Sequence, residues 1–159
     1  MNASGTQPGD RLTLLSFRLD RGRHALALDA VERAIRAAAV TPLPGMPAPM
    51  LGILDLEGEL LPVLSVRRRL GMADLPLSPD HHFLVARMGS RRVLLAVDAV
   101  ESVLERSWVR PPGDLGYRGL RGIAQLDDGL VLIHDLEAFF APEEWVALDR
   151  AIASARAPA

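Results

Sequence analysis

The sequence predicts a mostly β fold made of two related halves and closed by a C-terminal α-helix. Three observations predict it: a block that recurs after about 70 residues, short apolar runs punctuated by Gly, Pro and Asp, and one amphipathic segment near the end. Each element can be justified in turn.

The repeat comes first. Asp29-Ala30-Val31-Glu32 returns as Asp98-Ala99-Val100-Glu101, an offset of 69. Each copy follows a short apolar run, His24 to Leu28 and then Val93 to Val97. A Pro-rich loop comes next in both, Thr41-Pro42-Leu43-Pro44-Gly45 and Arg110-Pro111-Pro112-Gly113. Gly52-Ile53 and Leu56 are then matched by Gly122-Ile123 and Leu126 at an offset of 70, as is the run Leu60 to Leu64 by Leu130 to Ile133. Four features in one order, with the offset drifting by one residue, indicate a duplicated half-domain.

The runs Leu12 to Leu19, Ala25 to Leu28, Leu51 to Leu56 and Leu60 to Val66 are too short to stand as helices and read as strands. Val31 to Ala39 has enough Ala for a helix, but its counterpart Val100 to Leu104 carries β-branched residues, which favours strand. Glu57-Gly58 and Asp127-Asp128-Gly129 supply hairpin turns that need positive φ. Short strands with regular turns point to small barrels or sandwiches. Only Pro142 to Ala155 reads as a helix. Pro142 suits its first position, Glu143 and Glu144 favour its N-terminal end, and Trp145, Leu148 and Ile152 share one face for packing across the strands.

Composition removes several functions. With 159 residues the chain buries about 70% of its unfolded surface, enough for one sizeable core or two small fused ones. The absence of Cys excludes disulfides, thiolate metal sites and a Cys nucleophile. All 18 basic residues are Arg, yet 20 acidic residues leave a net charge of -2, unlike a dedicated nucleic-acid binder. No signal peptide is visible, and the longest uncharged run, Ala37 to Leu54, carries four Pro that would break a spanning helix. A soluble, cytoplasmic protein without direct membrane insertion is expected.

Catalytic motifs are missing. Asp80-His81-His82 holds metal-ligand types, but neighbouring residues on a strand point to opposite faces, so one solvent-facing His is expected instead. His134-Asp135 diverges in the same way and has no nucleophile to serve, so His134 reads as half-buried. Arg67-Arg68-Arg69 reads as a solvated strand end, and one Tyr, two Trp and four Phe supply few rings for stacking bases. No catalytic residue, metal or cofactor is expected. Exposed strand edges and a groove between halves instead suit a binding or scaffolding module.

Three stretches resemble CheW-like domains: Gly52-Ile53-Leu54-Asp55-Leu56-Glu57-Gly58 with the following Glu59 to Leu64, then Arg91 to Val100, then Gly122 to Ile133. The resemblance runs from about Leu12 to Ile152. It implies two fused five-stranded barrels: a tail at 1–10, then one domain at 11–156 with a first barrel at 11–80, a second at 81–141 and the helix at 142–155. It also implies a non-enzymatic adaptor of a bacterial chemosensory array. Its partners would be the regulatory domain of a CheA-type histidine kinase and the cytoplasmic tip of methyl-accepting chemoreceptors. The partner-facing residues implied are Val31, Arg33, Leu56, Glu57 and Gly58.

The chain departs from the family pattern mainly in charge. Arg33 stands where the family often has Glu, Asp55-Leu56-Glu57-Gly58 stands for Asn-Leu-Arg-Gly, and Ser65 replaces an Asp. Arg33 and Glu57 are expected to face each other as an inverted pair. The alternatives are a small-ligand sensor, which needs an apolar pocket, a divergent relative with partners outside chemotaxis, and a hydrolase using His81, His82 or His134.

Overall fold

Leu12–Leu19 (β1) turns back through Asp20 and Arg21 into Gly22–Ala27 (β2), a tight hairpin in which Asp20 adopts positive φ. The computed structural model describes residues 11–106, 109–113 and 119–156; the expected tail at 1–10 lies outside the described residues. A 3-10 turn at Leu28–Ala30 leads into β3 (Val31–Arg36), so the ambiguous Ala-rich stretch begins as a strand. β4 (Met50–Leu56) and β5 (Glu59–Ser65) form the next hairpin. After a short helix α1 (Val66–Arg69) come β6 (His82–Met88), β7 (Arg91–Val97) and β8 (Ala99–Arg106). β9 (Leu120–Leu126), β10 (Gly129–His134), a 3-10 turn at Leu136–Phe139 and α2 (Pro142–Arg156) complete the described elements.

These strands form two five-stranded sheets, ordered β8-β1-β2-β10-β9 and β3-β6-β7-β5-β4. If β1 to β5 are matched with β6 to β10 in sequence order, one order becomes the other. The duplication in sequence is therefore a pseudo-twofold in space. It also corrects the expected division at 80/81. The first sheet takes β1 and β2 from one half and β8, β9 and β10 from the other, while the second takes β3, β4 and β5 together with β6 and β7. Each half thus lends strands to its partner, and neither stretch, 11–80 or 81–141, forms a sheet alone.

Interlocking explains the near-continuous apolar runs. In β1, Leu15, Phe17 and Leu19 face a core shared by both sheets, while Leu14 faces the interior of its own sheet. β6 repeats this, with Leu84, Ala86 and Met88 in the shared core and Phe83 and Val85 in the second sheet's own interior. Strands buried on both faces need apolar residues at successive positions rather than at every second one. Leu148 of α2 enters the shared core, with Trp145 and Ile152 packed against it, as the helical stripe predicts.

The sheets stay open, but the chain leaving one edge strand touches the opposite edge. Thr41, beyond β3, exchanges two backbone hydrogen bonds with Ile53 of β4, and Arg110, beyond β8, does the same with Ile123 of β9. Gly52 and Gly122 precede these contacts and explain why the repeat keeps Gly there. A Cβ on Gly52 would lie 2.6 Å from the Thr41 carbonyl carbon, and one on Gly122 would lie 3.0 Å from the Arg110 oxygen.

Candidate partner-docking site

Val31 and Arg33 lie on β3, and Leu56, Glu57 and Gly58 lie at the end of β4 and in the turn that follows it. β3 and β4 are opposite edges of the second sheet, so its curl brings the two groups near each other. Glu57 and Gly58 have φ of 55° and 91°, the two positive values of a two-residue hairpin turn. The Gly58 amide donates to Asp55 Oδ1 at 2.8 Å and fixes the turn. Across the seam, Arg33 donates to Glu57 Oε1 at 2.5 Å.

The five residues do different jobs. Val31 packs against the shared core and Leu56 against the second sheet's own core. Gly58 shapes the turn. Arg33 and Glu57 are left as the exposed chemistry, with 46% and 70% of their side chains accessible. At that exposure the pair contributes about 0–1 kcal/mol to folding, so its importance is as a surface feature.

Other charged side chains hold the scaffold, and the sequence reading missed them. Glu32 accepts from Arg92 at 3.1 Å and from Arg87 at 3.0 Å. Glu101, its counterpart in the repeat, pairs with Arg18 at 2.5 Å and Arg23 at 3.2 Å. The Glu of each Asp-Ala-Val-Glu block therefore clasps two Arg contributed by the opposite half of the chain. Hydrogen bonding from Arg92 lowers the Glu32 pKa and outweighs the opposing effect of desolvation. The recurring tetrapeptide was the signal; its meaning required the strand exchange.

The Arg67-Arg68-Arg69 run is corrected by the structure. It forms α1 rather than a solvated strand end, and Arg67 is buried at 6% accessibility. Its guanidinium donates to Asp98 at 2.9 Å and 2.6 Å, to Asp20 and to the Ala73 carbonyl. Arg69 binds both oxygens of Glu144 and the Phe139 carbonyl. Arg91 binds both oxygens of Asp149 and lies 4.4 Å from the Trp145 ring centroid. These contacts clamp α2 to the sheets.

The histidines also differ from expectation. His134 is not half-buried but 1% exposed, and its Nε2 lies 2.8 Å from Nδ1 of His24. His81 Nδ1 accepts from the Ser78 amide, whereas His82 Nδ1 is buried without a hydrogen-bond partner. Among the described residues no three His, Asp or Glu side chains are grouped to hold a metal ion.

The comparisons with known proteins agree with this architecture. The family model described as "CheW-like domain" matches residues 13–144. The chain belongs to the CheW-like domain family. It is 31% identical to "Probable chemotaxis protein CheW" of Rhizobium etli, covering 86% of this chain and 91% of that one. Identity to the chemotaxis protein CheW of Rhizobium meliloti is 30%, covering 82% and 88%. The crystal structure of the scaffolding protein TtCheW from Thermoanaerobacter tengcongensis superposes with a TM-score of 0.77 at 24% identity, covering 84% of this chain and 94% of that one, and shows the same fold.

Within this CheW-like domain two departures from the family pattern preserve local physics. Asp55, in place of Asn, still offers an oxygen to the Gly58 amide. Ser65, in place of Asp, still caps α1 by accepting from the Arg68 amide, as Asp135 caps the equivalent turn by accepting from Glu137. Arg33 and Glu57 are the departures that reverse the sign of a charge, and they face each other.

Proposed function

We propose that this CheW-like domain is a non-enzymatic cytoplasmic adaptor that couples methyl-accepting chemoreceptors to the regulatory domain of a CheA-type histidine kinase. The match over residues 13–144, with relatives named as chemotaxis proteins, carries this reading. Among the described residues no helix is long and apolar enough to cross a membrane. An open recess of about 780 Å³ is lined by charged and polar residues, among them Arg11, Glu105, Arg106, Asp127 and Asp128, so a small-ligand sensor would have to use the smaller, more apolar one of about 410 Å³ beside Val40, Leu51, Leu75, Pro76 and Leu77.

Arg33 and Glu57 are assigned to partner choice, with Val31, Leu56 and Gly58 shaping the surface that presents them. A charge reversed on one side of an interface disfavours the wrong partner more than it strengthens the right one. Arg33→Glu is expected to weaken capture by receptor-bearing membranes about tenfold, equivalent to about 1.4 kcal/mol, and adding Glu57→Arg should restore part of that loss. Co-sedimentation with those membranes checks it. A double variant that binds no better than either single one shows that the two charges are not read as a pair.

A further inference from the structure

His24 on β2 and His134 at the end of β10 face each other across the parallel β2–β10 pairing, and both are buried. Their rings stack with centroids 5.0 Å apart, His24 also stacks on Phe17, and His134 meets the edge of Phe139. The pseudo-twofold shows that the fold does not require this polar pair. At the equivalent positions of the second sheet stand Val93 and Leu64, both fully buried. One half of a duplicated core thus carries two imidazoles where the other carries two aliphatic side chains.

The two rings share one hydrogen bond, so one nitrogen donates and the other accepts. A proton arriving at the accepting nitrogen leaves two N–H groups face to face, and the bond is lost. His134 immediately precedes the Asp135-capped turn Leu136–Phe139 and then α2. We propose that the His24–His134 pair is an acid-sensitive latch: proton uptake from solvent parts the ends of β2 and β10 and loosens the docking of the turn and of α2.

The surroundings favour neutral rings. Burial lowers the pKa of both, and for His134, where His24 adds to the effect, it falls to about 3. Asp98, bound to Arg67 and to the Asp20 amide, opposes the shift on His24. Asp135 turns its carboxylate to the Glu137 amide, and Glu137 accepts from Gly89. β1 and the 3-10 turn contribute the uncharged Phe17 and Phe139 to the pair. A His that is neutral when folded and cationic when unfolded stabilises fully above about pH 6.5. Below that, the folded-to-unfolded ratio falls up to tenfold per pH unit until the native pKa is reached.

The test compares the full chain with the variant carrying His24→Val and His134→Leu, both in a Trp108→Phe background that leaves Trp145 as the reporter of α2. Urea midpoints and Trp145 emission are followed from pH 8 to pH 5. The latch predicts that the parent loses midpoint steadily below about pH 6.5, with a red shift of Trp145 before global unfolding, and that the variant stays nearly flat. Parallel profiles for the two proteins overturn it. Should the variant fail to fold, NMR titration of the parent's imidazole rings decides: a His134 midpoint near the ordinary value of about 6.5, or α2 signals that change while both rings stay neutral, overturns the proposal, and a depressed midpoint with α2 signals that move in step with ring protonation supports it.

Discussion

Gly52→Ala is expected to lower the stability of the fold by about 3–5 kcal/mol, which places it among the most damaging single methyl additions available. Gly52 has φ of 149°, and a Cβ there would drive into the Thr41 carbonyl and lie 2.8 Å from Val40 Cγ1. Because the Thr41 carbonyl is also the acceptor for the Ile53 amide, the chain cannot relax without losing the bridge that spans the second sheet's edges. Gly122→Ala should cost less, since Gly122 lacks the positive φ of Gly52 and its nearest obstacle is the Val109 side chain rather than backbone. Gly45→Ala meets open space and bears only the cost of its positive φ, about 1 kcal/mol. Thermal unfolding checks the ranking, with Gly52→Ala lowering Tm by roughly 10 °C. A Gly52→Ala shift no larger than that of Gly45→Ala would show that conformation rather than crowding sets the cost.

Arg67→Met is expected to cost about 2–4 kcal/mol near pH 7, somewhat below a fully buried ion pair because Asp20 is more than half exposed. The damage comes from Asp98, largely buried, which is left without its cation. In the native protein burial pushes the Asp98 pKa up, but hydrogen bonding from Arg67 and from the Asp20 amide outweighs it and holds the carboxyl below the usual carboxylate range. The sign follows from linkage: as pH falls, the unfolded chain binds the proton first. This contribution is complete above about pH 4 and is lost as pH falls through the native pKa of Asp98. Urea midpoints should therefore differ most between parent and Arg67→Met at neutral pH and converge on acidification. A difference that stays constant to pH 3 would contradict the assigned role.

How much of this was legible depends on whether the determining physics was local. The turn at Glu57-Gly58 and the start of α2 at Pro142 were readable because backbone sterics and dipoles act within a few residues. The offset of the repeat revealed two halves. It could not reveal that the halves exchange strands, because pairing of β1 with β8 and β3 with β6 is a property of sheet order. For the same reason Glu32 and Glu101 appeared as a motif without a task, and Arg67 as one of three surface charges, although its partners Asp20 and Asp98 lie far off in sequence. The facing of Arg33 and Glu57 was anticipated from the way two family positions change together, and the geometry shows it. Val31 and Leu56 required the structure, since partial burial against two different cores is invisible in a run of apolar letters.

The measurement that tests the adaptor reading most directly is a calorimetric titration of the full chain with the regulatory domain of the CheA-type kinase from the same organism. The adaptor reading predicts saturable binding with a Kd in the micromolar range or tighter, about -8 kcal/mol or more favourable. Absence of binding at about 100 μM, a free energy weaker than roughly -5.5 kcal/mol, with the folded state verified by its thermal transition, would contradict it.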